Sequence, residues 1–459
     1  MAATPFLLGD PVTSLDGWLA AGGGQGLARA RELGPALTIQ ELRLARLRGR
    51  GGGGFPTGRK WDTVRRAEAD RRYVVCNAAE GEPATFKDRA LMRANPYQAI
   101  EGLAVAALCV GAEAAFVGMK ASFTPEREAV TRALQEMTAA GLLGELPVTV
   151  VAGPEEYLLG EEKALLEVIE GKDPLPRLFP PFEHGLFASG PQQGWESTAP
   201  STGDRPQSNP TVVNNLETLA NVPHILARGA EWFRSMGSEE SPGTLCCTVV
   251  GDVTRPAVLE VEMGTPLGEV IERCGGLRPG RQVRAVLPGA ANAVLGAGQL
   301  GTALTYEDMA AAGSGLGAAG FAVYDDSGCM VEVTRAFSRF LYVESCGQCR
   351  SCKFGTGEIT RALEQVVEGR GGEAEIELIG RLLRTVTDQT RCYLATEEQV
   401  MVASMLRTFP EEFTEHLEGR CRAPEPRRVL VPKVVELAGG AVVYDESQER
   451  KQPDWTYLP

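Results

Sequence analysis

Three cysteines at intervals of three residues, Cys346, Cys349 and Cys352 in the run Glu344-Ser-Cys-Gly-Gln-Cys-Arg-Ser-Cys352, constrain this chain more than any other feature. Such a triplet can converge on a metal–sulfur cubane if the backbone curls around it, with a fourth thiol supplied from elsewhere in the chain. Cys392 is the candidate for that fourth place. The fold must then bring two remote segments to one point. A structural zinc site also takes four cysteines, but zinc sites usually pair two CxxC knuckles rather than joining a CxxCxxC triplet to one distant partner. A disulfide framework is the third reading, and eleven cysteines in 459 residues is sparse for one.

A chain of 459 residues exceeds one ordinary core, so about two to four domains are expected. With 43% hydrophobic and 23% charged residues the composition is that of a globular protein. The start, MAATPFLLGDPVTSLDGW, has neither the basic region of a signal peptide nor the Arg/Ser-rich character of a transit peptide. No uninterrupted apolar run reaches the roughly 18 residues of a membrane helix. The expectation is a cytoplasmic, reducing setting without membrane insertion, where thiols are more often ligands than bridges. A net charge of −14 argues against non-specific binding to nucleic acid or to an anionic membrane surface. Any bound phosphate must then be held by a local site.

Glycine supplies 54 of the 459 residues, against a usual share of about 7%. Four stand together in Arg48-Gly-Arg-Gly-Gly-Gly-Gly-Phe-Pro-Thr-Gly-Arg-Lys-Trp61, where backbone N–H groups can close on an anion and a helix opening near Trp61 would add its positive end. The run is neither GxGxxG nor a P-loop, and the basic and aromatic residues around it distinguish it from a flexible linker. Residues 1–44 read as a helical arm, with helices over 26–33 and from Thr38, as N-cap, to 47. Arg72-Tyr-Val-Val-Cys76 reads as a buried parallel strand. It leads into a polar loop over 77–89, where an open sheet places ligand contacts. Helices over 98–108 and 125–140, with strands over 114–118 and 147–151, complete an alternation that predicts a doubly wound parallel sheet.

Beyond residue 240 the pattern changes. Strands over 244–251 and 257–262 with a helix over 267–274 predict a small α+β module, followed by an irregular stretch over 289–320 and a strand over 321–324. From Val333, helical periodicity toward Glu344 and then over 359–367, 376–386 and 397–406 predicts a four-helix arrangement. In it, Cys346, Cys349 and Cys352 lie on the loop between the first two helices, and Cys392 on the loop before the last. A tail over 421–459 carries apolar runs over 429–436 and 441–444 around Gly439-Gly440, a predicted β-hairpin. Cys76, Cys109, Cys246, Cys247 and Cys274 read as small core residues, and Cys329 and Cys421 fall outside the ligand pattern.

Five motifs, RGRGGGGFPTGRKW, CNAAEGEPATFKDR, YLLGEEKALLEVIEG with PRLFPPF, NPTVVNNLETLANVP and ESCGQCRSCKFGT, occur in the order found in the flavin-bearing, NADH-oxidising subunit of respiratory complex I. The chain resembles that family, which includes diaphorase subunits of NAD-linked hydrogenases and formate dehydrogenases, over residues 45–420. The resemblance implies an FMN- and NADH-binding Rossmann-like α/β domain at 45–235, a ubiquitin-like β-grasp domain at 240–330 and a four-helix iron–sulfur domain at 331–420. By the same resemblance Gly49, Gly51, Gly52, Gly54 and Lys60 line the flavin cleft, and Asn77 and Glu82 lie on its flavin and nucleotide sides. Tyr157, Glu161 and Glu162 stand beside the isoalloxazine, with the two glutamates orienting the nucleotide. Asn214, Asn215 and Thr218 hold the flavin phosphate and ribitol, and Phe55 and Phe182 stack the adenine. Cys346, Cys349, Cys352 and Cys392 hold a [4Fe–4S] cluster. The implied activity is hydride transfer from NADH to FMN and release of single electrons through the cluster to a partner, a thioredoxin-like [2Fe–2S] subunit.

Three departures fall on the nucleotide side. Ala79 stands where the family has Asp, and GPEEY replaces the family's GAGxY, which puts Glu155 where an anion would repel a pyrophosphate. Residues 187–209 are longer than the usual connection and read as a surface loop or lid. They motivate a second reading, an electron-transfer subunit with FMN and the cluster but no productive NADH site.

Overall fold

A computed structural model describes residues 5–189, 207–423 and 430–458. Contacts divide the chain into one unit of Met1–Gly81, Lys87–Cys246 and Leu259–Gly264 and another of Glu82–Phe86, Cys247–Val258 and Thr265–Pro459. The long connection over 190–206 and the first residue of the tail's apolar run, Val429, lie outside the described residues.

In the first unit α1 (Leu15–Ala20) is capped by Ser14, and α2 (Gln25–Leu44) is broken at Gly34, which is left-handed (φ 72°) and precedes Pro35. Proline suits a first helical turn, so the second half starts there. Thr38, expected as the N-cap, therefore lies inside the helix and donates its Oγ1 hydrogen to the Gly34 carbonyl at 2.9 Å. Next come α3 (Thr57–Arg66), β1 (Tyr73–Asn77), α4 (Lys87–Ala94), α5 (Pro96–Val110), β2 (Ala114–Lys120), α6 (Thr124–Ala139), β3 (Val148–Gly153), α7 (Glu162–Ile169), β4 (Thr211–Asn215), α8 (Leu216–Arg228) and α9 (Ala230–Arg234). Helix α3 opens at Thr57, four residues before the expected Trp61. Helix α4 occupies the end of the segment expected as a loop, because its charged residues are buried in pairs: Lys87 with Asp88 at 2.7 Å and Arg89 with Glu126 at 2.9 Å.

The four strands are parallel in the order β3-β2-β1-β4. From β1 the chain adds strands on one side and then returns to add β4 on the other. That reversal makes the β1/β4 junction the switch point, where open α/β sheets leave a crevice beyond the carboxyl ends of their strands. Asn77 and Asn215, paired across the two strands, end there. Helix α5 is buried along almost its whole length. Its Glu101 carboxylate accepts from Trp18 Nε1 at 2.9 Å and from the N–H groups of Gly24 at 2.7 Å and Leu27 at 2.9 Å, which fixes α1 and α2 to the core.

The unit boundary falls within β5 (Thr244–Gly251) and β6 (Ala257–Glu262). After them come α10 (Leu267–Arg273), β7 (Val283–Pro288), β8 (Leu295–Gly296), α11 (Tyr306–Ala311) and β9 (Gly320–Asp325), in a five-stranded sheet of order β6-β5-β9-β7-β8. Strands β5 and β9 pair in parallel, and β7 is antiparallel to both its neighbours. The stretch over 289–320 is thus not wholly irregular: it holds β8 and α11, the latter capped by Thr305 Oγ1, which accepts from Asp308 N at 2.9 Å.

Five helices follow instead of four: α12 (Met330–Glu344), α13 (Arg350–Val367), α14 (Glu373–Leu382), α15 (Leu394–Thr408) and α16 (Pro410–Leu417). The added helix begins with proline in its first turn. Strands β10 (Val434–Ala438) and β11 (Ala441–Tyr444) form the expected hairpin. Among the described residues, no helix is long and apolar enough to cross a membrane.

Candidate functional site

At the switch point of the parallel sheet lies a cleft of about 640 Å³, walled by the glycine loop between α2 and α3, the first turns of α3, the ends of β1 and β4, and the start of α8. That volume suits a small-molecule or cofactor site, commonly about 300–1,000 Å³. Of the residues expected here, Gly49, Gly51, Gly54, Phe55, Lys60, Asn77, Glu162, Phe182, Asn214, Asn215 and Thr218 line it. Gly53, Arg59, Thr63 and Gly160 line it as well; Gly53, Arg59 and Gly160 lie within the quoted motifs without an assigned role, and Thr63 lies just beyond the glycine motif. A Cβ on Gly51 would stand 2.9 Å from the Asn215 Cβ, whereas one on Gly53 would meet nothing within 4 Å. One glycine permits the loop to close on β4, and the other leaves the cleft open.

Lys60 reaches across the cleft wall, its Nζ donating to the Val213 carbonyl and to Glu162 Oε2, both at 2.8 Å. Trp61 Nε1 donates to Asn214 Oδ1 at 2.7 Å, Thr218 Oγ1 accepts from Arg50 N at 2.8 Å, and Asn77 Nδ2 donates to the Gly160 carbonyl at 2.8 Å. Asn215 caps α8, accepting from Glu217 N at 3.0 Å and donating to Asp88 Oδ2 at 2.6 Å. Behind it Lys87, 1% exposed, sits between Asp88 and Glu217. Phe55 and Phe182 are exposed at 49% and 41%, so two aromatic faces stand open at the cleft.

Four expected residues take other places. Glu161 is the N-cap of α7, its Oε2 accepting from Lys163 N at 2.8 Å and Ala164 N at 3.0 Å, so its neighbour Glu162 faces the cleft instead. Burial pushes the Glu161 carboxyl up to about 7, with Lys163 opposing and Glu162 adding to the shift. Tyr157 opens the short helical turn Tyr157–Gly160 and is not among the cleft-lining side chains. Gly52, at φ 118°, carries the loop's turn rather than its wall. Glu82 belongs to the other unit, where its Oε1 accepts from Ala290 N at 2.5 Å and Ala291 N at 3.3 Å.

The departures also have places. Ala79 is buried and its N–H donates to Asn77 Oδ1 at 3.1 Å. Glu155 does not line the cleft: its carboxylate accepts from Ser122 N at 3.1 Å and Ser122 Oγ at 2.7 Å.

In the helical region Cys346 lies on the link before α13, Cys349 is the α13 N-cap and Cys352 is inside its first turn. The expectation of a loop for all three is corrected: a three-residue repeat lets the last two share one helical turn. The segment carrying Cys392 comes to the same place. Val386 packs on Gly355 of α13, and the Cys349 thiol pKa, raised by burial, is raised further by Asp388 and opposed by Arg391, both on that segment. Among the described residues, the four thiols do not gather to the 4.8 Å mutual spacing of a single-ion site. A four-iron cubane does not require that spacing, since each thiolate takes a different iron. The donor set fits the cluster.

The tail, unassigned in the sequence, buttresses this link. Lys451 and Glu344, both fully buried, pair at 2.9 Å next to Ser345-Cys346, and Gln448 donates to the same carboxylate at 3.1 Å. Lys353 Nζ donates to the carbonyls of Ser345 at 2.7 Å and Pro453 at 2.6 Å.

Residues 42–224 match the family model of the Nuo51 FMN-binding domain, 332–416 that of the NADH-ubiquinone oxidoreductase-F iron–sulfur binding region, and 247–290 that of the SLBB domain. An F-type NADH-quinone oxidoreductase subunit of Rhizobium meliloti (strain 1021) is 39% identical over 414 residues, 87% of this chain and 94% of that one. The NADP-reducing hydrogenase subunit HndC of Solidesulfovibrio fructosivorans is 33% identical, covering 89% of this chain and 81% of its own. Among solved structures, an NAD+-reducing [NiFe]-hydrogenase in the H2-reduced state superposes with a TM-score of 0.76 at 29% identity, over 89% of this chain and 67% of that one.

Proposed function

The chain belongs to the F-type NADH-quinone oxidoreductase subunits, and we propose that it oxidises NADH with FMN and passes the electrons singly through a [4Fe–4S] cluster to a partner protein. The observation that carries this is the switch-point cleft, whose glycine loop, amides and lysine suit a phosphorylated planar cofactor. When bound, the flavin supplies uptake of two electrons with release of one at a time, and the cluster supplies one-electron carriage. The protein's own work is placement. Asn214, Asn215, Thr218 and Lys60 bind the flavin phosphate and ribitol, aided by backbone N–H groups of Gly51 and Gly54, while Gly49 lines the cleft with its N–H bonded to the Phe55 carbonyl. Phe55 and Phe182 stack the adenine of the nucleotide, and Glu162, positioned by Lys60, accepts from its ribose hydroxyls. Glu161, Tyr157 and Gly52 hold the framework of that site, and Asn77 fixes the Gly160 turn. Cys346, Cys349, Cys352 and Cys392 ligate the cluster.

Strand order β6-β5-β9-β7-β8 with a central parallel pair supports reading residues 240–330 as a β-grasp domain, within a division at 1–44, 45–235, 240–330, 331–420 and 421–459. The relatives are subunits of larger oxidoreductases. We accordingly place this chain in a cytoplasmic assembly, with a thioredoxin-like [2Fe–2S] protein as the immediate acceptor. Glu155, tied to Ser122, gives the reading without NADH no structural support.

The test is an anaerobic titration of the FMN- and iron-loaded protein with NADH and, separately, NADPH, following flavin absorbance and then the cluster by electron paramagnetic resonance. Prompt bleaching with a reduced-cluster signal is expected with NADH. Flavin that dithionite reduces and neither nucleotide does would reverse the assignment.

A further inference from the structure

Cys329, His416 and Cys421 take no part in either site above, yet their ligand atoms all lie within 4.8 Å of one another. They come from three separate places: the N-cap of α12, the last turn of α16, and the segment after α16. Cys329 and His416 are buried, with Sγ and Nε2 3.1 Å apart, and Cys421 is exposed.

The surrounding framework is fixed by other bonds. Glu412, one turn before His416, accepts from Met330 N at 2.9 Å and pairs with Arg284, which holds α16 against the start of α12. Beyond α16 the chain doubles back at Gly419 (φ 70°), with Gly419 N donating to His416 O at 3.0 Å and Arg420 N to Glu415 O at 2.9 Å. Only glycine takes that left-handed turn without strain. Arg422 then binds Glu415 at 2.7 Å and Glu411 at 3.3 Å along the helix surface, which keeps Cys421 beside His416.

We propose that Cys329, His416 and Cys421 bind one zinc ion, with water in the fourth position. Two thiolates and an imidazole form a soft donor set that favours zinc over magnesium or calcium. Bonds of about 2.3 Å to sulfur and about 2.0–2.1 Å to nitrogen give tetrahedral ligand–ligand edges of about 3.5–3.8 Å. The observed spacing brackets those edges, so side-chain rotation completes the site. On binding, each thiol loses its proton to solvent and the imidazole enters neutral. No electron moves. The ion clips the end of α16 and the segment after it to the start of α12.

The experiment uses the FMN- and iron-loaded chain, purified anaerobically with thiols reduced. Elemental analysis is expected to find about one zinc per chain in addition to the cluster iron. Cobalt(II) exchanged into the site is expected to show the d–d bands of tetrahedral cobalt with sulfur-to-metal charge transfer. Cys421→Ser changes an exposed position, so the variant should fold. It should lose both the zinc and the cobalt bands and melt several degrees lower, while NADH bleaches its flavin as in the parent. His416→Ala should lose the same signals. A parent chain with neither stoichiometric zinc nor cobalt bands would overturn the proposal, as would a Cys329–Cys421 disulfide as the dominant form of the isolated protein.

Discussion

Lys60 shows how far a single residue can be interpreted. Its ammonium is fixed by Glu162 and by the Val213 carbonyl, so it presents charge at a defined point of the cleft wall. Charge-assisted hydrogen bonds contribute about 1.5–3 kcal/mol, so Lys60→Ala should weaken FMN binding roughly 10- to 100-fold. Quenching of FMN fluorescence on titration into flavin-free, iron-loaded protein measures this directly, and an unchanged dissociation constant would remove Lys60 from the site. Glu155 carries the opposite expectation. Its carboxylate is taken up by Ser122, so Glu155→Gly should leave NADH affinity within about twofold, as for a surface change away from the site. A large gain would instead restore Glu155 as a barrier. Residue types were legible in the motifs, but the division of labour between adjacent glutamates was not: it depends on which of the two falls at the start of α7 and is consumed in capping it.

Among the elements, α8 carries a pH-sensitive group in the core of the first unit. His224 lies edge-on to the rings of Phe6 and Trp18, with Nε2 3.0 Å from Gln98 Oε1. Burial, with Arg228 adding, lowers its imidazole to about 3. An unfolded histidine titrates near 6.5, so between about 6.5 and 3 the unfolded chain binds the extra proton. The stabilisation from keeping this ring neutral is present above pH 6.5 and is lost as pH falls through that window. Between pH 7.5 and 4.5 the loss is on the order of 2–3 kcal/mol. Glu161 acts with the opposite sign: its raised pKa takes stability away as pH rises from about 4.5 through about 7. Chemical denaturation of the parent and of His224→Gln at both pH values isolates the histidine, and an identical pH slope would refute its role. The tail offers a second element-scale prediction. Removing one partner of a buried ion pair costs about 3–5 kcal/mol. Lys451→Met, which strands Glu344 beside the cysteine link, should lower stability by that order and speed iron loss to a chelator; equal rates would leave the tail without a role there. Three of the four parallel strands of the first unit were legible as apolar runs, and β4 was not read as a strand. Helix α4 was not legible, because charged residues that bury one another look like solvent-facing polarity in the sequence.

In the molecule as a whole, the cleft residues all belong to the first unit and the cysteines of the proposed cluster to the second. The sequence announced both sites for the same reason: each packs its chemistry into a short local pattern, a run of glycines or a CxxCxxC triplet. It was silent about Cys329 meeting His416 and Cys421, and about the tail under Glu344, because those remote segments meet only through packing. The separation allows one chemistry to be removed while the other is kept. Cys352→Ser replaces a buried thiolate in the first turn of α13 with a poor iron ligand and touches nothing in the cleft. Iron content should fall from about four per chain and the reduced-cluster resonance should vanish. NADH should still bleach the flavin to the same extent, because hydride uptake needs only the cleft, while delivery of single electrons to an iron–sulfur acceptor protein should drop by at least an order of magnitude. If the flavin instead stops responding to NADH in a variant that still binds FMN with parental affinity, the two sites are not the separable stages of one electron path.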